Sequence, residues 1–234
     1  MNYLVFDGKN SADYNVFISG EATYNTPEKD IELISIPGKN GTLSIDKKRY
    51  ANININYPAF IAHDFRANFD AFKALLMSSS GYSKLSDTYD PDHYRLARYH
   101  AAIEPSMDQL NRHGTFNITF DCDPRRFLKS GDKVAEFTAS GTLKNPTLFE
   151  ALPLIRVYGT GYFECNNVYV QITSANEYTD IDCELQEAYK GSTNCNGNIV
   201  LVDGVFPTLK AGINSITKGS GMTRIEIYPR WWTI

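Results

Sequence analysis

The chain has 234 residues, 42% hydrophobic and 21% charged, a balance that supports packed cores and excludes a disordered protein. Net charge is −4: residues up to 138 carry 16 basic and 18 acidic side chains, and the rest carry 7 and 9, so each part is −2. Neither part has the basic face that duplex binding requires. Fifteen Tyr, thirteen Phe and two Trp favour pleated, half-buried surfaces and hence β-structure.

In chain order, short strand-like runs come first, at Tyr3–Phe6, Ile31–Ile36, Leu43–Ile45 and Ala51–Tyr57. In the last of these, Asn52, Asn54 and Asn56 alternate with Ile53, Ile55 and Tyr57, giving one wet and one apolar face. Gly38-Lys-Asn-Gly41 supplies a hairpin turn, since Asn-Gly tolerates positive φ. Lys47-Lys48-Arg49 is the one basic triplet and reads as a solvated turn between strands. A single helix follows over about 64–78. Asp64 is its expected cap, and Phe65, Phe69, Phe72 and Leu76 form one apolar stripe at i, i+4, i+7 and i+11. Such a stripe belongs in a core, where the helix plugs the open side of a barrel or sheet. Strands resume at Tyr82–Ser86, Tyr94–Glu104 and Thr115–Cys122, and Asp123-Pro124 is expected to stop the last.

Residues 125–150, with a weak strand at Val134–Phe137, read as a crossing between domains, placed at 1–138 and 139–234. Short strands then recur at Leu154–Tyr158, Tyr162–Cys165, Val168–Ile172, Thr179–Asp182 and Ile199–Val202 without a helical pattern, which predicts a β-sandwich. At the end, Ile225 and Ile227 alternate with Arg224, Glu226 and Tyr228, and Pro229 terminates the strand. Trp231 and Trp232 are adjacent, so on extended backbone one at most faces the core. The other is a candidate for docking a neighbour, since Trp is enriched at interfaces.

Motifs for catalysis, phosphate cradling or calcium loops do not occur, and no catalytic residue, metal ligand or cofactor site is predicted. Cys122, Cys165, Cys183 and Cys195 show no zinc spacing and leave disulfide pairing open. Asp87, Asp90 and Asp92 around Pro91 could hold a cation, but such carboxylates more often cap turns. His93 and His100 lie seven apart on one predicted strand and face opposite sides. Asp180, Asp182 and Glu184 share one strand face, which is expected to be solvated. The N-terminus has neither a basic n-region nor a long apolar stretch, and no segment approaches the ~18–20 apolar residues of a membrane span. The expectation is a soluble protein made in a reducing cytoplasm and not inserted in membranes.

Several passages, in this order, resemble the distal tail (Dit) proteins of long-tailed, non-contractile bacteriophages. They are Ile36-Pro-Gly-Lys-Asn-Gly41 before the 51–57 strand, Leu85-Ser-Asp-Thr-Tyr-Asp-Pro-Asp-His-Tyr94 after the helix, and Phe120-Asp-Cys-Asp-Pro124. Asn145-Pro146, Leu152-Pro153, Ile155-Arg-Val-Tyr-Gly-Thr-Gly161, Asp182, Leu209-Lys-Ala-Gly-Ile-Asn214 and Tyr228-Pro-Arg-Trp231 complete the set. The resemblance implies a mainly β fold with an N-terminal split β-barrel carrying one helix and a C-terminal galectin-like β-sandwich. It implies a non-enzymatic hub of the virion tail tip, assembled in the host cytoplasm as a homo-hexameric ring. That ring would join tail tube and tape-measure proteins to tail-associated or receptor-binding proteins and pass DNA transiently, without specific binding. Ring-interface candidates are Lys47, Asn52, Asn54 and Asn56, and docking candidates are Trp231 and Trp232. The alternative is a tail adhesin that binds cell-wall carbohydrate through the C-terminal sandwich, although no His, Asn, Arg and Trp cluster of the galectin kind occurs there.

Overall fold

A computed structural model describes residues 1–19, 25–108 and 112–234. The chain divides into two compact units, Met1–Arg126 with Ile234, and Phe127–Thr233. The division falls at 126/127 rather than at the expected 138/139. Its cause is the segment Ala135–Phe137, read from the sequence as a crossing, which pairs in register with a terminal strand: Ala135 faces Ile227 and Phe137 faces Ile225.

The first unit contains β1 (Leu4–Phe6), β2 (Lys9–Asn10), β3 (Val16–Ile18), β4 (Lys29–Ser35), β5 (Thr42–Tyr50), β6 (Ile53–Ile61), α1 (Phe65–Ser78), β7 (Ser83–Asp87), β8 (His93–Arg98), β9 (Ser106–Met107) and β10 (Gly114–Leu128). Its main sheet has the order β2-β1-β7-β8-β10-β6-β3, with β9 also on β10. In β6 the predicted alternation holds: Ile53, Ile55, Tyr57, Ala59 and Ile61 are buried, while Asn54 is exposed. The α1 stripe is buried as well, and Phe69 meets Phe116 of β10 edge-on at 5.1 Å. Burial of aromatics on both elements is the main force holding helix to sheet.

Two local expectations fail. Asp64 does not cap α1: its backbone is left-handed, at φ 52°, and its carboxylate makes no capping bond. The Phe65 amide instead donates to the Arg112 carbonyl at 3.3 Å. Asp123-Pro124 does not stop β10, which runs extended to Leu128. The Arg125 amide bonds the Asp123 carboxylate at 2.9 Å, and Arg95 donates to the Pro124 carbonyl at 3.2 Å, so side chains serve the backbone where proline removes a ladder donor.

The second unit continues with β11 (Ala135–Phe137), β12 (Gly141–Asn145), β13 (Leu154–Gly159), β14 (Gly161–Cys165), β15 (Val168–Ile172), β16 (Tyr178–Asp182), β17 (Glu187–Lys190), β18 (Thr193–Asn194), β19 (Ile199–Leu201), β20 (Gly212–Lys218), β21 (Met222–Tyr228) and β22 (Trp232–Thr233). Two sheets, β11-β21-β13-β16-β17-β18 and β12-β20-β14-β15-β19, enclose one core that includes Ile155, Val157, Phe163, Val170 and Ile225. This is the predicted sandwich. Two buried asparagines tie its loops. Asn145 donates to the carbonyls of Phe149 and Leu209, and Asn214 donates to those of Leu143, Lys210 and Gly212. All four cysteines are buried free thiols.

Candidate functional site

The feature that neither core accounts for is the ribbon formed by β4 and β5. Among the described residues these strands pair only with each other, from Ser35↔Thr42 near the tip to Lys29↔Tyr50 at the base. The turn uses Gly38 and Gly41 at φ 79° and 81°, so positive φ falls on the glycines and not on Asn40. At the base the Ala51 amide donates to the Glu28 carbonyl at 2.9 Å.

The half nearest the base is laced by ion pairs. Lys29 meets Asp46 at 2.7 Å, Arg49 meets Asp30 at 2.6 Å, and Lys47 lies 3.4 Å from Glu32 and 3.9 Å from Asp30. The hydrogen bond from Lys29 holds the Asp46 carboxyl below its usual range. Lys47-Lys48-Arg49 is therefore part of β5 and not a turn. Lys48, at φ 56°, sits where the register slips between Lys29 and Ile31. Apolar side chains begin within the ion-paired half and fill the outer one: Ile31, Leu33, Ile34, Ile36, Leu43 and Ile45 are all exposed, Leu33 by 64%. A lone two-stranded ribbon is marginal in water, and a run of exposed Leu and Ile on it marks a contact surface.

The sequence held one sign of this. In Ile31-Glu32-Leu33-Ile34-Ser35-Ile36 the apolar residues do not alternate strictly, so they fall on both faces of a strand. A strand covered on one side by its own domain has no use for that pattern. The ribbon carries Lys47, one of the four predicted interface residues. Asn54 and Asn56 lie on the outward side of β6, where Asn56 accepts a bond from Thr119 at 3.3 Å. Asn52 donates to the Tyr82 hydroxyl at 2.6 Å and to Asp121 at 3.0 Å, so its amide is engaged within the unit.

Other predicted clusters resolve into internal structure. Asp87 accepts from the amides of Tyr89 and Asp90 and from the Tyr57 hydroxyl, while Asp90 pairs with His93 at 2.7 Å and Arg126 at 3.1 Å. These carboxylates cap a turn and hold neighbouring strands. His100 lies beyond the end of β8 at Arg98, in a coil. Asp180 and Asp182 are buried, not solvated: Arg156 and Arg230 cover them, at 2.7 and 2.8 Å. Trp231 is 4% exposed in the core of the second unit, which removes it as a docking residue. Trp232 is half-buried, stacks on Phe149 at 4.4 Å and donates its indole N–H to the Glu150 carbonyl. Among the described residues, no group of three or more His, Cys, Asp or Glu side chains is arranged to hold a metal ion, and no helix is long and apolar enough to cross a membrane.

No family model and no curated protein matches the sequence. The folded chain does have counterparts, and its mainly β fold, with one α-helix among the described residues, is similar to that of a bacteriophage Dit protein. One similar structure is the Dit protein (gp 19.1) of phage SPP1, described as a paradigm of the hub adsorption apparatus in phages infecting Gram-positive bacteria. The TM-score is 0.74 at 15% identity, over 97% of this chain and 98% of that one. A chain in the phage P2 baseplate, in its activated conformation with Ca, is similar at a TM-score of 0.51 and 9% identity, over 97% of both chains. At these identities the likeness is one of fold.

Proposed function

We propose that this protein is a structural hub of a phage tail tip or baseplate. The observation that carries the reading is the fold likeness to a hub protein over nearly the full length of both chains. In this reading the first unit forms a hexameric ring around a channel, and each ribbon of β4 and β5 seats its outer half on a neighbouring copy. Burial of six large apolar side chains at roughly 25 cal/mol per Å2 is the driving force. The ion-paired half, with Lys47, fixes the angle at which the ribbon leaves its own unit, and the polar faces at Asn52, Asn54 and Asn56 line the contact or its rim.

The ring joins tail tube and tape-measure proteins on one side to tail-associated or receptor-binding proteins on the other, at the distal end of the virion, after assembly in the host cytoplasm. DNA passes the channel without being held, in keeping with a chain of net charge −4. The second unit, a galectin-like sandwich in this reading, serves as a platform for partner proteins, with Trp232 among its candidate contacts.

Light scattering of the purified full chain over a range of concentrations tests the assembly. The expected mass is about six times the 26.3 kDa of one chain. A monomeric mass at every concentration would overturn a ring that closes without other tail proteins.

A further inference from the structure

The outward side of the second sheet in the second unit carries a shallow groove that the hub reading does not use. Gly161, Tyr162, Tyr169, Gln171, Val202 and Ser220 line it, and its volume is about 530 Å3. That lies within the range of sites for small ligands, about 300–1,000 Å3.

The strand register assembles it. In the antiparallel pair β14 and β15, Tyr162 stands opposite Gln171 and Glu164 opposite Tyr169. Phe163, Cys165, Val170 and Ile172, between them, are buried in the core. The two tyrosines, the amide and the carboxylate therefore share the opposite, outward side. Tyr162 and Tyr169 are diagonal neighbours there, 48% and 39% exposed, a spacing that aromatic side chains can span. The charge of Glu164, which stands opposite Tyr169, is the main cause of a phenol pKa above its ordinary value.

One wall is held rigid by backbone. Gly161 has φ 127°, and a Cβ there would run into the Ser220 carbonyl oxygen. A Cβ on Gly219 would likewise strike the Tyr162 carbonyl, to which the Gly219 amide donates at 2.9 Å. The turn at 218–221 can approach this closely only because Gly161 and Gly219 carry no side chain. A ligand would thus meet a preformed surface, with little ordering left to do on binding.

The charges narrow the ligand class. No lining residue is basic, and the charges acting on Tyr169 come from the acids Glu164 and Asp203. The Lys218 ammonium, nearby in sequence, is turned to the Met222 carbonyl at 2.7 Å. A phosphate-bearing polymer would be repelled. Uncharged sugar rings fit: their C–H faces lie on phenol rings, and their hydroxyls reach an amide and a carboxylate.

We propose that this groove binds a neutral polysaccharide, with successive pyranose rings on Tyr162 and Tyr169 and hydroxyls held by Gln171 and Glu164. The proposal goes beyond the hub reading and does not depend on the ring.

Calorimetric titration of the full chain tests it, with cellohexaose, maltohexaose and a β-galactan hexasaccharide as neutral probes and a glycerol-phosphate polymer as the anionic one. At least one neutral hexasaccharide should bind with a Kd of about 1 mM or tighter. Tyr162→Ala and Tyr169→Ala should each weaken it by about tenfold. Tyr169→Phe, which keeps the ring, should retain most of the affinity and show that the loss is not one of folding. Tyr82→Ala, at a comparably exposed tyrosine of the first unit, should change nothing. Absence of binding by all three neutral probes, binding indifferent to Tyr162→Ala, or binding of the phosphate polymer alone would each overturn the proposal. None of these results alters the mass measured by light scattering, so the two readings fail separately.

Discussion

Arg230 grips Asp182 with both terminal guanidinium nitrogens, Nη1 to Oδ1 and Nη2 to Oδ2, each at 2.8 Å. The same carboxylate accepts from the amides of Glu184 and Leu185 at 3.1 and 3.2 Å. One buried side chain thereby ties the end of β16, the turn after it and the segment following β21. Truncating Arg230 leaves Asp182 as a buried charge without its cation, and truncating Asp182 strips the half-buried Arg230 of its main partner and two amides of their acceptor, a loss of about 3–5 kcal/mol. Asp182→Ala and Arg230→Ala are expected to destabilise the second unit by that order, read from denaturant unfolding of the full chain.

The same pair sets a pH dependence. Burial pushes the Asp182 pKa up, but the Arg230 guanidinium and the two amides outweigh it and hold the group below the ordinary carboxylate value. The folded pKa is depressed, so the stabilisation is present above the unfolded value of about 3.9 and is lost as pH falls through the folded one. Acid titration of the wild-type chain should show this loss below pH ~4, and the Asp182→Asn variant should lack that component.

Leu33→Asp combined with Leu43→Asp places charge on the outer half of the ribbon without touching either core, since both side chains are exposed. The doubly substituted chain is expected to keep its circular dichroism spectrum and to fall from the hexameric to the monomeric mass. Retention of the hexamer would exclude the ribbon as the contact.

Phe72 is fully buried on the helix stripe and packs near Phe116, with ring centroids 6.3 Å apart. Phe72→Ala should cost about 3–5 kcal/mol through lost transfer energy and a residual cavity. The measurement is the unfolding midpoint of the first unit, followed by amide exchange at residues of α1.

Burial raises the thiol pKa of Cys122 and Cys165 to about 12 and that of Cys183 higher still. A thiol reagent at neutral pH should therefore leave Cys122, Cys165 and Cys183 almost unreactive in the native chain and label all four cysteines after denaturation. Rapid native-state reaction at any of those three would contradict the packing of the two cores.

What the sequence disclosed, it disclosed through period. The α1 stripe and the β6 alternation each name their buried residues because one repeat matches one exposed face. Partners far along the chain leave no such mark. Asp180 and Asp182 alternate as a solvated face would, but Arg156 and Arg230 lie 24 and 48 residues away and arrive only on folding. Asp64 precedes a helical stripe as a cap should, yet its left-handed backbone turns the carboxylate from the orphan amides. The groove was hidden for the same reason, because Tyr162 and Gln171 become neighbours only when β14 pairs with β15. The ribbon was legible as two strands and a turn, though not as strands that leave the core.

Among the described residues neither outer edge of that ribbon is paired: β4 and β5 bond each other and no further strand. Each copy of the chain therefore offers one arm and, in the assembly proposed above, one seat, a head-to-tail relation. Such a contact has no natural end. Repeated at a rotation that closes, it stops when the last arm meets the first seat, and repeated at any other rotation it grows into a filament. The angle at the base of the ribbon, where Lys29, Asp30, Lys47 and Arg49 are cross-braced, then decides between a particle of fixed size and an open polymer.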